Sequence, residues 1–203
     1  MASQAPDIIY LHGFRSSPAS EKARSLSSYI DSVHYSGQRF IPELVTSPSG
    51  IEEQLDRLIQ SRGRRPVGLI GSSLGGFFAF VMAERYGLPA VLINPAAYPY
   101  ELMADYLGIH TNLYTGDAFE VTQTHIDQLR ALDPGEPAQP QRLMVMVQTG
   151  DETLDYRQAA ERFRDTHLVI EQGGDHRFST FETHLPQMLA FLAKHGAAPT
   201  IDQ

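Results

Sequence analysis

The chain has 203 residues, 42% of them hydrophobic and 20% charged, which is enough to form one globular domain with a buried core. Its 24 Asp and Glu outnumber its 16 Lys and Arg, and the net charge of −8 disfavours nucleic acid and anionic membranes as partners. The absence of cysteine excludes disulfides, thiolate metal sites and a cysteine nucleophile. The first residues carry no export-signal pattern and no segment has the length and apolar character of a membrane span, so we expect a cytoplasmic protein.

Short apolar segments recur along the chain and predict six strands. Five are continuous apolar runs, as expected for strands covered on both faces, and they span 7–12, 66–71, 89–94, 142–148 and 167–171. A weaker segment spans 39–44, where Pro42 is typical of a strand end or an irregular edge.

Helical patterns lie between these strands. Apolar residues spaced three and four apart predict helices over 23–33 and 51–59, and capping-box patterns predict helix starts at Ser49 and Ser179. Since strands and helices alternate, we expect an α/β fold with a mostly parallel sheet and helices on both faces. Binding sites in such folds lie at the carboxyl ends of the strands.

One long segment, residues 95–141, interrupts the alternation between the fourth and fifth strands. Helices are predicted around 99–107 and 121–132, followed by a proline-rich loop. A segment of this length at the carboxyl end of a strand is expected to act as a lid within a single domain of residues 1–203, rather than to form a second domain.

The sequence Gly-Ser-Ser-Leu-Gly-Gly at 71–76 follows the third predicted strand and precedes a helix, which matches the G-x-S-x-G pattern in its required context. A sharp turn that exposes the Ser73 hydroxyl brings strand and helix together, so Gly71 and Gly75 must lack side chains. Ser73 then lies at a helix N-terminus, where the Leu74 N–H faces any oxyanion that forms. The alternative is that the glycines only allow close helix packing. No lysine follows them and the spacing is not G-x-G-x-x-G, which disfavours a nucleotide site.

A serine nucleophile needs a histidine base, which a carboxylate holds in turn. His176 follows the last predicted strand and is the candidate base, the alternative being a loop histidine that caps the next helix. Asp151 directly follows the fifth strand and is the candidate acid. Asp155 is the alternative acid, although it also fits the N-cap of a helix over 156–165, and Glu152 is a third choice.

A second backbone donor is expected from the turn after the first strand, His12-Gly13-Phe14. The Phe14 N–H is the candidate partner of the Leu74 N–H in an oxyanion hole, and each such donor typically contributes about 3 to 4 kcal/mol at the transition state. His12 is expected to hold the loop rather than to transfer protons.

Five motifs together carry a resemblance to a known family. They are YLHGFRSSP at 10–18, GSSLGG at 71–76, INPA at 93–96, QTGDETLDYRQA at 148–159 and GGDHRF at 173–178. Over residues 7–192 the chain resembles the α/β-hydrolase superfamily, and within it the small bacterial esterases of the YqiA type. The resemblance implies a three-layer α/β-hydrolase fold and hydrolysis of carboxylic esters or thioesters by Ser73, His176 and Asp151.

The sequence departs from the superfamily pattern at two points. Gly150 and Asp151 are adjacent, whereas several residues usually separate the strand-ending glycine from the acid, which keeps Asp155 open as the alternative. Only six residues precede the first strand, whereas larger members have two further strands there. The expected fold is therefore a trimmed sheet of about six strands in the order 2-1-3-4-5-6.

The expected function is that of a serine esterase for small to medium acyl chains, acting through an acyl-enzyme without a metal or organic cofactor. An acyl-CoA thioesterase or acyltransferase on the same triad, or a hydrolase-like binding protein without catalysis, are the alternatives. Arg15 and Lys22 are compatible with a phosphate-bearing thioester. Several side chains of the 95–141 segment either line an acyl pocket or only pack the segment onto the sheet, and these are Tyr98, Tyr100, Leu102, Met103, Tyr106, Leu107 and Tyr114.

Overall fold

Strands and helices alternate along residues 5–200, the part of the chain that this computed structural model describes. The strands are Asp7–Leu11 (β1), Arg39–Phe40 (β2), Val67–Ser72 (β3), Ala90–Ile93 (β4), Gly108–Thr111 (β5), Ala118–Val121 (β6), Leu143–Gln148 (β7) and His167–Glu171 (β8). The helices are Glu21–Ser32 (α1), Pro48–Gln60 (α2), Leu74–Tyr86 (α3), Pro99–Leu102 (α4), Gln123–Leu132 (α5), Tyr156–Arg162 (α6) and Phe181–His195 (α7), with 3₁₀ turns at Met103–Tyr106 and Pro140–Arg142. Within that described part, none of the helices combines the length and the apolar character needed to cross a bilayer.

Six strands form one parallel sheet in the order β2-β1-β3-β4-β7-β8. Numbered along the chain without the separate β5–β6 pair, this is the predicted order 2-1-3-4-5-6, and the prediction is confirmed. The register pairs Leu11 with Gly71 and Ser72 with Ile93, so β1, β3 and β4 end level with one another. The loops that follow these strands therefore meet at one edge of the sheet.

Alternate strand residues face opposite sides of the sheet, and both sides are covered. Ile9 and Leu69 lie in a core formed with α2, α3, α5 and α6. Ile8 and Ile70 lie in a second core formed with α1 and α7. All four side chains are fully buried, which explains why the strands are continuous apolar runs rather than alternating ones.

Both predicted capping boxes are wrong by one or two residues. Helix α2 begins at Pro48 and its cap is Ser47, whose Oγ accepts a hydrogen bond from Gly50 N at 3.3 Å. Proline suits the first helical position because its missing N–H has no partner there, and this moves the start ahead of Ser49. Helix α7 begins at Phe181, after Ser179. The predicted strand 39–44 is also shortened, to the two residues of β2.

The 95–141 segment contains the two predicted helical regions and, between them, a hairpin that the sequence pattern did not predict. Strands β5 and β6 pair antiparallel, and the Asn112 side chain stabilises the turn by accepting hydrogen bonds from Tyr114 N at 2.8 Å and Thr115 N at 3.2 Å. His110 and Phe119 lie on the inner face of the hairpin, whereas Ile109 is 80% exposed on its outer face.

A buried arginine attaches the 95–141 segment to the rest of the fold. Arg162, at the end of α6, is 3% exposed and donates hydrogen bonds to Asp133 and to the Ala97 and Gly135 carbonyl oxygens. Its guanidinium carbon lies 4.9 Å from the centre of the Tyr98 ring. Because the guanidinium meets a carboxylate, two carbonyls and an aromatic face, its charge is compensated inside the protein.

Candidate active site

Ser73 occupies the turn between β3 and α3 and has a strained backbone. Its φ of 57° and ψ of −122° lie outside the regions that non-glycine residues favour, at a cost of about 1 to 3 kcal/mol. Hydrogen bonds from Ser73 N to Ile93 O at 3.0 Å and from Gly76 N to Ser73 O at 2.9 Å hold the turn. A strained serine kept in place at a strand end is typical of a functional position.

The two glycines that flank Ser73 have no room for a side chain. A Cβ atom on Gly71 would lie 2.1 Å from the Gly75 carbonyl oxygen, and one on Gly75 would lie 2.2 Å from the Leu11 carbonyl oxygen. Both distances are far below van der Waals contact. The turn therefore requires glycine two residues before and two residues after the serine, for the steric reason inferred from the sequence.

Ser73, His176 and Asp151 form a connected row of hydrogen-bonding side chains. Ser73 Oγ lies 3.1 Å from His176 Nε2, and His176 Nδ1 lies 2.8 Å from Asp151 Oδ2. Since a carboxylate only accepts, His176 Nδ1 carries the proton towards Asp151, which leaves Nε2 free to accept from the Ser73 hydroxyl. The His176 side chain is 22% exposed and the Asp151 side chain 2%, so solvent reaches the imidazole ring but not the carboxylate.

The structure brings Asp151, and not Asp155, to His176. Asp151 Oδ1 also accepts hydrogen bonds from Thr153 N and Leu154 N, each at 2.8 Å, which fixes the carboxylate with Oδ2 at 2.8 Å and Oδ1 at 3.0 Å from His176 Nδ1. Asp155 instead caps α6, accepting from Arg157 N at 3.0 Å.

Asn94, Gln148 and Glu152 hold the His176 loop, and of these the sequence interpretation selected only Glu152, as the third choice of acid. Asn94 Nδ2 donates to Asp175 O at 3.0 Å, and Asn94 Oδ1 accepts from Gln148 N at 2.9 Å. Gln148 Oε1 accepts from Asp175 N at 3.0 Å. Glu152 Oε2 accepts from His176 N at 2.9 Å, and this hydrogen bond lowers the pKa of the Glu152 carboxyl. Asn94 and Gln148 are buried polar residues next to or at the end of apolar strands, and both lie in motifs that carry the family resemblance, but neither was given a role there.

The two candidate oxyanion donors belong to the first residue of α3 and to the loop after β1. Leu74 is the first residue of α3, and within residues 5–200 neither its N–H nor that of Phe14 donates a hydrogen bond. The loop after β1 approaches Ser73 closely, since a Cβ atom on Gly13 would lie 3.2 Å from Ser73 Cβ.

The Phe14 ring is surrounded edge-on by aromatic rings of the 95–141 segment. Its centre lies 5.7 Å from Tyr106, 5.7 Å from His110 and 5.5 Å from Phe119, with ring planes 68° to 87° apart. Each such aromatic pair typically contributes about 0.5 to 1.5 kcal/mol beyond its buried area. The 95–141 segment therefore contributes to fixing the residue that carries one candidate oxyanion donor.

His12 lies beneath the same loop. Its Nδ1 donates to Gly13 O at 3.1 Å and its Nε2 accepts from Leu44 N at 3.4 Å, a long contact that requires the neutral ring. Burial lowers the pKa of His12, which favours the same neutral form. His12 thus joins the loop after β1 to the segment after β2.

Two clefts meet at residues 13–16, which line both of them. The first, which we name the polar cleft, has a volume of about 690 Å³ and is lined by residues that include Arg15, Lys22, Ser73, Tyr114, His176 and Arg177. The second, which we name the apolar cleft, has a volume of about 240 Å³ and is lined by residues that include Phe14, Leu44, Ile51, Leu74, Phe78 and Phe119.

Most tyrosines of the 95–141 segment serve packing rather than a pocket. Tyr98, Tyr100 and Tyr106 pack against the core on the α3 side of the sheet, and Met103 is 6% exposed within it. Only Tyr114 among the four tyrosines lines either cleft. The apolar cleft is formed by other residues.

Comparison with known proteins agrees with this architecture. The uncharacterised protein family UPF0227 matches residues 7–193. A UPF0227 protein of Yersinia pseudotuberculosis is 26% identical over 191 residues, which cover 91% of this chain and 97% of the relative. Mouse alpha/beta hydrolase domain-containing protein 10 gives a TM-score of 0.73 at 16% identity, covering 96% of this chain and 92% of that one. The esterase domain of a Rhodothermus marinus protein gives a TM-score of 0.70 at 16% identity, covering 95% and 88%.

At these identities the two solved structures show a shared fold, and the predicted α/β-hydrolase fold is confirmed. The family match covers nearly the whole sequence. The chain belongs to the uncharacterised protein family UPF0227.

Proposed function

We propose that this protein is a serine hydrolase that cleaves carboxylic esters or thioesters of small to medium acyl chains. The observation that carries the proposal is the hydrogen-bonded row of Ser73, His176 and Asp151 at the carboxyl edge of the sheet. This row supplies a nucleophile, a base and an acid in the geometry that acyl transfer requires. The likeness to an esterase domain from Rhodothermus marinus is consistent with it.

In the first step, Ser73 Oγ attacks the carbonyl carbon of the ester while His176 Nε2 takes the hydroxyl proton. The Asp151 carboxylate stabilises the imidazolium that forms. The negative charge on the former carbonyl oxygen is stabilised by the N–H groups of Phe14 and Leu74, which have no other hydrogen-bonding partner within residues 5–200. His176 then returns its proton to the leaving oxygen or sulfur, and the alcohol or thiol departs.

In the second step, His176 Nε2 takes a proton from water as the water oxygen attacks the acyl-enzyme carbonyl. The same two N–H groups stabilise the second oxyanion. When it collapses, the bond to Ser73 Oγ breaks, Oγ recovers the proton from His176, and the carboxylic acid leaves. Protein groups alone carry out every proton transfer in this scheme.

A thioester with an anionic leaving group is a second candidate substrate because of two cations in the polar cleft. Arg15 Nε donates to Thr111 O at 2.9 Å and Lys22 Nζ donates to Arg177 O at 2.8 Å, so both hydrogen-bond to neutral carbonyl groups. Within residues 5–200 neither forms a salt bridge with a carboxylate. Comparing the turnover of butyryl-coenzyme A with that of nitrophenyl butyrate separates thioester from ester preference.

Covalent labelling tests the proposed nucleophile directly. A fluorophosphonate probe should label the folded protein, and mass spectrometry of the digested adduct should locate the phosphonyl group on Ser73, because only this serine is activated by His176. Prior incubation with a nitrophenyl ester should slow the labelling. A folded protein that takes up no probe would instead support the alternative of a binding protein without catalysis.

Replacing Asn94 by glycine should lower kcat about 10²-fold with little change in KM. The variant keeps the positive φ of 39° that Asn94 adopts but loses the hydrogen bonds that hold the His176 loop, and a small displacement of a base has an effect of this size. Steady-state kinetics with nitrophenyl butyrate provides the measurement. Ile59→Val, a buried change in α2 that costs about 0.5 to 1.5 kcal/mol of stability, is the control and should retain kcat. An equal fall in both variants would assign the effect to general stability.

A further inference from the structure

The two clefts have different chemistry and different relations to the reacting groups. Both share residues 13–16, but Ser73 and His176 line only the polar cleft and Leu74 lines only the apolar cleft. An ester also has two sides, the acyl chain and the leaving group. The position of the proton donor and of the oxyanion donors decides which side lies in which cleft.

The leaving group must lie on the side of His176. The imidazole has to hand its proton to the leaving oxygen or sulfur, which requires that atom within hydrogen-bond reach of Nε2. Since His176 is in the wall of the polar cleft, the alcohol or thiol extends into that cleft, among Lys22 and Arg177.

The acyl chain must lie on the other side. The carbonyl oxygen turns towards the N–H groups of Phe14 and Leu74; Phe14 lines both clefts, and Leu74 lines only the apolar cleft. Resting on the serine hydrolase function proposed above, we propose that the apolar cleft is the acyl-binding site and that it accepts straight acyl chains only up to about six carbons.

The size limit follows from the closed inner end of the apolar cleft. Ile51 and Phe78 in its lining are 4% and 0% exposed, whereas Glu43 and Asp117 are exposed at its outer end. The volume of the apolar cleft, about 240 Å³, is about a third of the 690 Å³ of the polar cleft. Part of this volume lies at the polar outer end, so a butanoyl to hexanoyl chain fills the apolar part.

A series of nitrophenyl esters tests the size limit with the wild-type protein. From acetate through butyrate to hexanoate, kcat/KM should rise by about fourfold for each methylene that is buried. From hexanoate to decanoate it should fall at least tenfold, because further methylenes meet Ile51 and Phe78. Turnover that is equal for all chain lengths, or highest for decanoate, would overturn the assignment of the apolar cleft. No turnover of any ester would overturn the hydrolase function itself, so the two failures are distinguishable.

Two exposed valines provide a matched pair of variants. Val45 lines the apolar cleft and is 47% exposed, whereas Val33 follows α1, lines neither cleft and is 45% exposed. Val45→Trp narrows the cleft and should lower the ratio of hexanoate to acetate turnover at least tenfold. Val33→Trp introduces the same side chain at the same exposure and should leave the ratio unchanged.

A widening variant tests the same assignment in the opposite direction. Leu44 is a half-buried residue of the apolar cleft. Leu44→Ala should raise the ratio of octanoate to butyrate turnover at least tenfold, as the longest accepted chain grows. If neither Val45→Trp nor Leu44→Ala changes the chain-length profile of a folded, active protein, the acyl chain does not lie in this cleft.

Discussion

Ser73→Ala is expected to lower kcat for nitrophenyl butyrate by about 10⁶-fold, since loss of the nucleophile removes the acyl-enzyme route entirely. The residual rate comes from water attack assisted by the two backbone N–H groups. The exposed Ser28→Ala change on α1 is the control and should retain full activity. Initial rates and thermal unfolding of both variants provide the measurement, and an active Ser73→Ala enzyme would contradict the assignment.

A second substitution at the same position tests the backbone strain of Ser73 through protein stability. Ser73→Gly should be as inactive as Ser73→Ala, yet it should be more stable than the wild type by about 1 kcal/mol, because glycine adopts the φ of 57° without strain. A gain in stability together with a complete loss of activity would show that the strain at Ser73 is retained for its reactivity.

Asp151→Asn is expected to lower kcat/KM about 10⁴-fold while leaving the fold intact. The amide can donate to His176 Nδ1, which favours the tautomer with the proton on Nε2, where it can no longer accept from Ser73. Asp155→Asn is the matched control, since it changes the other candidate acid by the same atoms and asparagine still caps α6. Its kcat/KM should stay within a few-fold of the wild type. The reverse ranking of the two variants would make Asp155 the acid.

The proximity of the three candidate side chains was predictable because parallel strands end at a common edge. Ser73, Asp151 and His176 each follow a continuous apolar run, so their proximity follows from the fold class once the runs are identified as strands. The sequence favoured Asp151 and left Asp155 as the alternative acid, since both lie in one loop. The contacts of the loop decide between them, because the backbone N–H groups of Thr153 and Leu154 hold the Asp151 carboxylate next to the imidazole.

Other features depend on contacts that no local pattern indicates. Asn94 reaches the His176 loop across the end of β7, which lies between β4 and β8 in the sheet, and neither the strand pattern nor the INPA motif indicates this contact. Arg162 is buried while Arg157 and Arg164 nearby are exposed, and nothing in their spacing distinguishes them. The β5–β6 hairpin consists of four-residue strands, too short for a periodic signal to stand out.

The order of the candidate site residues along the chain has a consequence for folding during translation. A nascent chain that has left the ribosome up to β7 already contains the serine of the β3 turn, but it lacks β8 and the histidine that follows. The α7 cover of β1, β3 and β4 is also still missing, so apolar strand faces stay open until α7 emerges. The proposed hydrolytic activity should therefore arise only after β8 and the histidine that follows it are made, and a chain without α7 would expose apolar surface without being active.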